Sequence, residues 1–227
     1  MLPVRPAVLA LAAAVSIMSS TVHAAERYLA LGDSYTIGEG VAPAERWPVQ
    51  LAARLRAAGI EIGDPMIVAT TGWTTDELAQ AMEAAPFEPP YALVTLLIGV
   101  NNQYRGRDLK NYRDEFSALL ARAIALAGER TGRVVVVSIP DWGVTGFARE
   151  HKREPHRVAI EIDAFNASAE EIAHDRGIAF VDVTPISRDA GDAPEMLVAD
   201  RLHPSGAQYA SWAEPIFAAA RQAFASR

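Results

Sequence analysis

A serine near the start of the chain and an aspartate–histidine pair near its end supply the side chains of an acyl-transfer triad. Ser34 lies in the segment Gly32-Asp33-Ser34, directly after an apolar run. Asp200 and His203 are three residues apart, so one turn of backbone can bring their side chains together. In such a triad the histidine accepts the serine proton, and the carboxylate holds the imidazole in the required tautomer. These residues therefore predict nucleophilic chemistry on an acyl group, most simply the hydrolysis of an ester.

The other histidines beyond the N-terminal segment are weaker candidates for a general base. His151 and His156 lie in a charged stretch and have no carboxylate three residues before them. His174 has Glu171 at that spacing, but both fall in a predicted helix, where a solvated polar pair is the simpler interpretation. Taken singly, the triad residues also have structural interpretations, a helix cap for the serine and a turn for the aspartate–histidine pair.

An acyl-transfer site also needs hydrogen-bond donors for the oxyanion that develops on the carbonyl oxygen. Gly72 follows the second predicted strand, and its backbone N–H can point into the same cleft, where a side chain would crowd the substrate. Asn101 follows the third predicted strand, and its side-chain amide is a second donor. The N–H of Ser34 is a third. An ordinary turn for the glycine and an Asx-turn for the asparagine remain open as alternatives.

The elements that must position these residues alternate along the chain. Continuous apolar runs, typical of strands buried on both faces, predict strands over 27–31, 66–70, 91–98, 133–139 and 179–183. Periodic apolar positions with capping signals predict helices over 47–58, 74–84, 111–127, 155–175 and 205–224.

Strands that are each followed by a helix imply an α/β fold, a five-stranded parallel sheet with helices on both faces. Ligands bind such sheets at the carboxyl ends of the strands. The loops 32–46, 71–74 and 99–110 lie at that edge and contain the candidate chemistry. The chain has no internal repeat and no linker of low complexity, so residues 25–227 are expected to form one domain.

The ends and the composition exclude several classes of protein. Residues 1–24 resemble a secretory signal peptide, with Arg5 followed by an apolar segment too short to span a membrane, so we expect the protein to be exported, periplasmic or secreted. The absence of cysteine excludes disulfides, a thiol nucleophile and a Cys-ligated zinc site. A net charge of −7 argues against nucleic acid as the main partner.

Four short segments, in order along the chain, resemble the conserved blocks of the SGNH hydrolases, the GDSL esterase/lipase superfamily. They are the segments around Ser34, Gly72 and Asn101 and the closing Asp200–His203 segment. The resemblance implies Ser34 as nucleophile, His203 as general base, Asp200 as its orienting carboxylate, and the N–H groups of Ser34 and Gly72 with Asn101 as the oxyanion hole. It also implies a flavodoxin-like αβα sandwich of three layers.

One position departs from the pattern of that superfamily. The third block usually ends in aspartate, whereas this chain has Asn102. The departure affects a structural carboxylate and leaves the oxyanion donor in place. On the resemblance alone, the substitution Asn102→Asp should be nearly silent, because it restores the common residue.

The predicted activity is hydrolysis of carboxylic esters through an acyl-enzyme on Ser34, without cofactor or metal. The resemblance implies lysophospholipids, short-chain or aryl esters, thioesters or acetylated carbohydrates as substrates, and the sequence does not select among them. Three alternatives remain: an acyltransferase with the same triad, a non-catalytic carbohydrate-binding relative, and a flavin-binding protein whose 32–40 loop would hold phosphate.

Two loops at the predicted active edge have open roles. Arg105 follows Asn101 closely, and residues 141–154 follow the fourth strand and include several cations. These loops could hold an anionic or sugar-bearing substrate or form a partial lid, or they could be solvated. Trp73 is open in the same way, between lining an acyl pocket and packing under the second helix.

Overall fold

The computed structural model describes residues 25–225 of the chain. The predicted signal peptide, residues 1–24, lies outside the described residues. Among the helices of residues 25–225, none combines the length and the apolar character needed to cross a membrane.

Five parallel strands form one sheet in the order β2-β1-β3-β4-β5. The strands are β1 (Tyr28–Gly32), β2 (Met66–Ala69), β3 (Leu93–Leu97), β4 (Val134–Val137) and β5 (Ala179–Val181). All five residues of β1 and of β3 are buried, which explains why both read as continuous apolar runs. The predicted parallel α/β fold is confirmed.

Four of the strands are shorter than the apolar runs that predict them. Three of these runs end on an apolar residue that is buried beyond the strand end: Ile98 and Ile139 are each 1% exposed and Val183 is fully buried. Hydrophobicity reports burial and not ladder hydrogen bonds, so these runs continue into the buried loops at the carboxyl edge.

The helices cover both faces of the sheet. In chain order they are α1 (Ser34–Ile37), α2 (Trp47–Ala57), α3 (Thr75–Ala84), α4 (Val100–Tyr104), α5 (Leu109–Leu126), α6 (Gly146–Glu150), α7 (Pro155–His174), α8 (Thr184–Ala190) and α9 (Gly206–Ala225). Helix α2 packs against α9, and α5 packs between α3 and α7. The five long helices match the predicted ones to within two residues at either end.

The sequence did not predict the four short helices α1, α4, α6 and α8. They have four to seven residues, which is too short for an apolar period to register. The start of α5 is also two residues earlier than predicted, because Asp108 accepts hydrogen bonds from the N–H groups of Lys110 (2.8 Å) and Asn111 (3.1 Å). Helices α1 and α4 begin within three residues of strand ends and contain two of the candidate site residues.

Candidate active site

Ser34 is the first residue of α1, immediately beyond the carboxyl end of β1. A side chain at Gly32 would overlap the Thr36 hydroxyl and the Leu97 carbonyl, so this tight turn requires glycine. Asp33 caps α1, its Oδ1 accepting a hydrogen bond from the Tyr35 N–H at 3.0 Å. The local sequence thus folds the serine onto a short, capped helix at the mouth of the sheet.

His203 and Asp200 form a hydrogen-bonded pair. His203 Nδ1 lies 2.6 Å from Asp200 Oδ2, and Asp200 Oδ1 accepts from the backbone N–H groups of Leu202 (2.8 Å) and His203 (3.0 Å). Partial burial of the carboxyl opposes its ionisation, but the hydrogen bonds from His203 and from these amides outweigh it and hold the pKa of Asp200 below its ordinary value. A carboxylate on Nδ1 leaves Nε2 as the nitrogen that can act as a base.

A cleft of about 170 Å³ brings together residues that are far apart in the sequence. Four of the five sequence-predicted site residues line it, namely Ser34, Gly72, Asn101 and His203. Asp200 does not line the cleft, and it contacts the site through its hydrogen bond to His203. The remaining lining residues are Tyr35, Thr71, Val100, Tyr104, Trp142, Phe147 and Leu202.

The side-chain amide of Asn101 is held by the loop after β2. Its Nδ2 donates a hydrogen bond to the Trp73 carbonyl oxygen at 2.9 Å. An amide nitrogen carries two hydrogens, so one remains to donate elsewhere. Trp73 itself does not line the cleft and packs against the hydrophobic core, which answers the open question about its role.

Gly72 adopts a backbone conformation that favours glycine, with φ at +86°. Its carbonyl oxygen accepts a hydrogen bond from Arg105 Nη2 at 2.6 Å, and Arg105 Nη1 lies 3.2 Å from Glu77. The only atom within 4 Å of a Cβ placed there would be the Arg105 guanidinium, at 3.7 Å. The positive φ by itself favours glycine at this position. Arg105 binds the protein's own loop.

Asn102 has a structural role that depends on its amide. The residue is fully buried; its Oδ1 accepts from the Thr75 N–H at 3.1 Å, and its Nδ2 donates to Thr75 Oγ1 at 2.6 Å. The Thr75 hydroxyl in turn donates to Glu115. These hydrogen bonds join α4 to the start of α3 and to α5, and so fix the helix that contains Asn101.

A model of the GDSL-like lipase/acylhydrolase family matches residues 30–210, which is most of the chain and includes every candidate site residue. The chain belongs to this family. The resemblance inferred from the sequence is thereby confirmed, as is the enzyme class, a GDSL-type serine hydrolase acting on ester bonds. A search of curated proteins found no match.

Several solved structures have the same fold as this GDSL-like protein. The crystal structure of TesA is 21% identical with a TM-score of 0.68, and the match covers 86% of this chain and 97% of TesA. The esterase EstA from Pseudoalteromonas sp. is 18% identical with a TM-score of 0.66 and the same two coverages. The acetyl-xylooligosaccharide esterase Axe2 from Geobacillus stearmophilus is 20% identical with a TM-score of 0.63, and the match covers 86% of this chain and 94% of Axe2.

Aromatic side chains form one wall of the cleft of this GDSL-like hydrolase. Trp142 is 2% exposed, and its Nε1 donates to Gln103 Oε1 at 2.8 Å. The Tyr104 and Trp142 ring centres lie 5.3 Å apart, and Phe147 contacts both rings. Sequence reasoning did not assign Tyr104 or Phe147 to the site. Both residues lie in segments that follow β3 and β4 at the carboxyl edge of the sheet, and this position was the only indication that the sequence offered for them.

Asp33, next to the candidate nucleophile, is a fully buried carboxyl group. Burial raises its pKa to about 7, against the opposing effect of the hydrogen bond from the Tyr35 N–H. Its Oδ2 has no hydrogen-bond partner within residues 25–225. In the same described part of the chain, no group of three or more His, Asp or Glu side chains is arranged to hold a metal ion.

Proposed function

We propose that the protein is an esterase in which Ser34 Oγ attacks the ester carbonyl carbon while His203 Nε2 accepts the hydroxyl proton. The alcohol leaves with a proton from His203, and water then hydrolyses the acyl-enzyme by the same steps. The observation that carries the proposal is the 2.6 Å pair between His203 Nδ1 and Asp200, with Ser34 and His203 in one cleft. That pair orients the imidazole and stabilises the imidazolium that forms in each step.

The oxyanion would be bound by the N–H groups of Ser34 and Gly72 and by the second amide hydrogen of Asn101. Within residues 25–225, neither of these two backbone N–H groups donates a hydrogen bond to the protein. All three donors belong to residues that line the cleft. Donors that are fixed in advance and unused by the protein are what stabilisation of a developing negative charge requires.

The form of the cleft supports a short-chain or aryl ester as substrate. Its volume of about 170 Å³ lies below the ~300–1,000 Å³ of most sites for drug-sized ligands. The wall formed by Tyr104, Trp142 and Phe147 suits an apolar acyl or aryl group. Axe2 is named as an acetyl-xylooligosaccharide esterase, and an acetyl group is also small enough for this cleft, so acetylated sugars are a second candidate class of substrate.

A panel of esters tests the proposal. Purified protein is assayed against 4-nitrophenyl esters of increasing acyl length and against acetylated oligosaccharides, with Ser34→Ala as the inactive control. We expect the highest kcat/KM for acyl chains of a few carbons and at least a 10³-fold loss in Ser34→Ala. Activity that survives Ser34→Ala would refute the mechanism. A purified protein with flavin absorbance and no esterase activity would favour the flavin-binding alternative, and ester formation with an added alcohol would favour the acyltransferase.

We also propose that the protein is exported and that cleavage after Ala24 releases it. The support is the sequence pattern of residues 1–24. Expression of the full chain in a bacterial host, followed by intact-mass analysis of the periplasmic and extracellular fractions, should give a protein that begins at Ala25. Retention of the full-length chain in the cytoplasm would contradict the proposal.

A further inference from the structure

A second pocket adjoins the catalytic cleft and shares Tyr104 with it. This side pocket has a volume of about 380 Å³ and lies between the end of α4, the turn after α6 and the start of α7. Its charged lining residues are Lys152, Arg153, Glu154, Arg157 and Glu161. A substrate larger than the cleft can therefore extend past Tyr104 into a polar space.

Arg153 lies at the junction of the two pockets. Its guanidinium carbon is 5.4 Å from the ring centre of Tyr104 and 5.3 Å from that of Trp142, and both rings line the cleft. Stacking on aromatic faces holds the guanidinium while leaving its N–H groups at the edge. Within residues 25–225 these N–H groups donate no hydrogen bond and form no ion pair, unlike those of Arg105, Arg107 and Arg201.

The charges of the side pocket leave a cationic surplus. Arg157 pairs with Glu161 at 2.9 Å, and Glu161 also accepts from Gln103 at 2.7 Å. The hydrogen bond from Arg157, helped by the nearby charge of Arg153, holds the pKa of Glu161 below its ordinary value. Among the described lining residues, the three cations Lys152, Arg153 and Arg157 face two carboxylates, Glu154 and Glu161, which leaves one positive charge in excess. This local surplus lies beside the cleft of a protein whose net charge is −7.

We propose that the side pocket is a subsite for an anionic group of the substrate, a carboxylate or a phosphate, with Arg153 as its main ligand and Lys152 as the second. The inference rests on the proposed esterase function, because it places the scissile carbonyl at Ser34 and the anion beyond Tyr104. A planar guanidinium with free N–H groups suits bidentate binding of either anion. The substrate class is then an ester with a second, negatively charged end.

The test compares esters that differ only in charge. One acyl group is used in three substrates: 4-acyloxybenzoate, 4-acyloxyphenyl phosphate and the neutral 4-acyloxybenzamide. The readout is the ratio of kcat/KM for each anionic ester to that for the neutral ester, which is insensitive to the amount of folded enzyme. We expect Arg153→Gln to lower this ratio about three- to tenfold, mainly through KM, as for a partly exposed, charge-assisted pair. Arg153→Lys should lower it less.

The matched control is Arg130→Gln, which makes the same change of charge. Arg130 is exposed and lies just before β4, at the amino edge of the sheet and away from the cleft. In Arg130→Gln the ratio of kcat/KM for the anionic ester to that for the neutral ester should equal the ratio of the unmodified enzyme. Equal ratios for Arg153→Gln and Arg130→Gln would overturn the subsite, and preference for one anion identifies its source as carboxylate or phosphate.

A binding measurement separates failure of the subsite from failure of the esterase function. In the Ser34→Ala background, calorimetry gives the Kd of 4-acyloxybenzoate with and without Arg153→Gln. Three- to tenfold weaker binding after Arg153→Gln supports the subsite even if no ester is hydrolysed. An unchanged Kd refutes the subsite even if the unmodified enzyme hydrolyses neutral esters.

Discussion

Asn102→Asp distinguishes what the structure predicts from what the family pattern alone predicts. Asn102 is fully buried, and its Nδ2 donates to Thr75 Oγ1 at 2.6 Å, while the Thr75 hydroxyl donates to Glu115. An aspartate has no hydrogen to donate in place of Nδ2. The single hydroxyl proton of Thr75 would then face two carboxylates, and one buried oxygen would lose its partner.

The number of lost hydrogen bonds sets the expected loss of folding stability. A buried polar group left without a partner costs ~1–3 kcal/mol, and more when it is charged. The hydrogen bond from the Thr75 N–H to Oδ1 is retained, so we take roughly 2–3 kcal/mol at neutral pH, a fall in Tm of about 5–10 °C for a domain of this size. Burial raises the pKa of the introduced carboxyl. As the pH falls through that pKa the group binds a proton and becomes a donor, so the loss should shrink on acidification.

Thermal unfolding followed by circular dichroism measures this effect, with Asn111→Asp as the matched control. Asn111 is exposed and donates to the same Glu115 at 2.8 Å, so the same chemical change there should cost under ~1 kcal/mol. The double variant Asn102→Asp/Glu115→Gln should recover most of the loss, because Thr75 can then donate to the aspartate and accept from the glutamine. A silent Asn102→Asp, or a double variant less stable than the single one, would refute this account of the hydrogen bonds.

Three further predictions concern the site. Asn101→Ala should lower kcat by ~10²–10³ with little change in KM, because an oxyanion donor acts mainly in the transition state; steady-state kinetics on one ester checks this, and a pure KM effect would contradict it. Asp33→Asn should stabilise the protein at neutral pH and much less at pH 4. Burial raises the folded-state pKa of Asp33 to about 7, so the parent loses stability as the pH rises from about 4 to 7. Chemical unfolding of both proteins at both pH values measures the difference. Arg105→Ala should lower kcat about fivefold by loosening the Gly72 loop, an effect of about 1 kcal/mol for a partly exposed group. The control is Arg107→Ala: Arg107 pairs with Asp76 and does not contact Gly72, so this variant should keep the kcat of the parent. Equal effects on kcat would show that Arg105 acts only through stability.

The sheet could be predicted from the sequence because its strands are buried on both faces. The apolar runs around Leu31, Leu96 and Val136 differ from the intervening amphipathic helices in both length and period. The strand ends could not be predicted as well, since Ile98 and Ile139 are as buried in loops as they would be in strands. The amino-acid composition of these segments reflects their burial. It does not show where the hydrogen bonds between strands end.

The site could be predicted only where a residue type is tied to a chemical task. Ser34 and the Asp200–His203 pair have types and spacing that few other segments of the chain share. The hydrogen bonds of Asn102 to Thr75 and of Arg105 to Gly72 join residues 27 and 33 positions apart, and no local pattern marks such pairs. The aromatic wall was missed for a different reason: Phe147 lies in α6, a helix of five residues that is too short to be predicted from an apolar period.

Covalent labelling tests the central claim, that Ser34 is the nucleophile, most directly. A fluorophosphonate is a suitable probe, because an activated serine hydroxyl attacks its phosphorus as it attacks an acyl carbon, with fluoride as the leaving group. The protein is treated with a fluorophosphonate and analysed by intact mass and peptide mapping, with Ser34→Ala as the test variant and Ser211→Ala, an exposed serine on α9, as the control. We predict one adduct per chain, located on Ser34, absent from Ser34→Ala and retained in Ser211→Ala, with loss of esterase activity in step with labelling. An adduct on another residue that accompanies the loss of activity, or unchanged labelling of Ser34→Ala, would contradict the account.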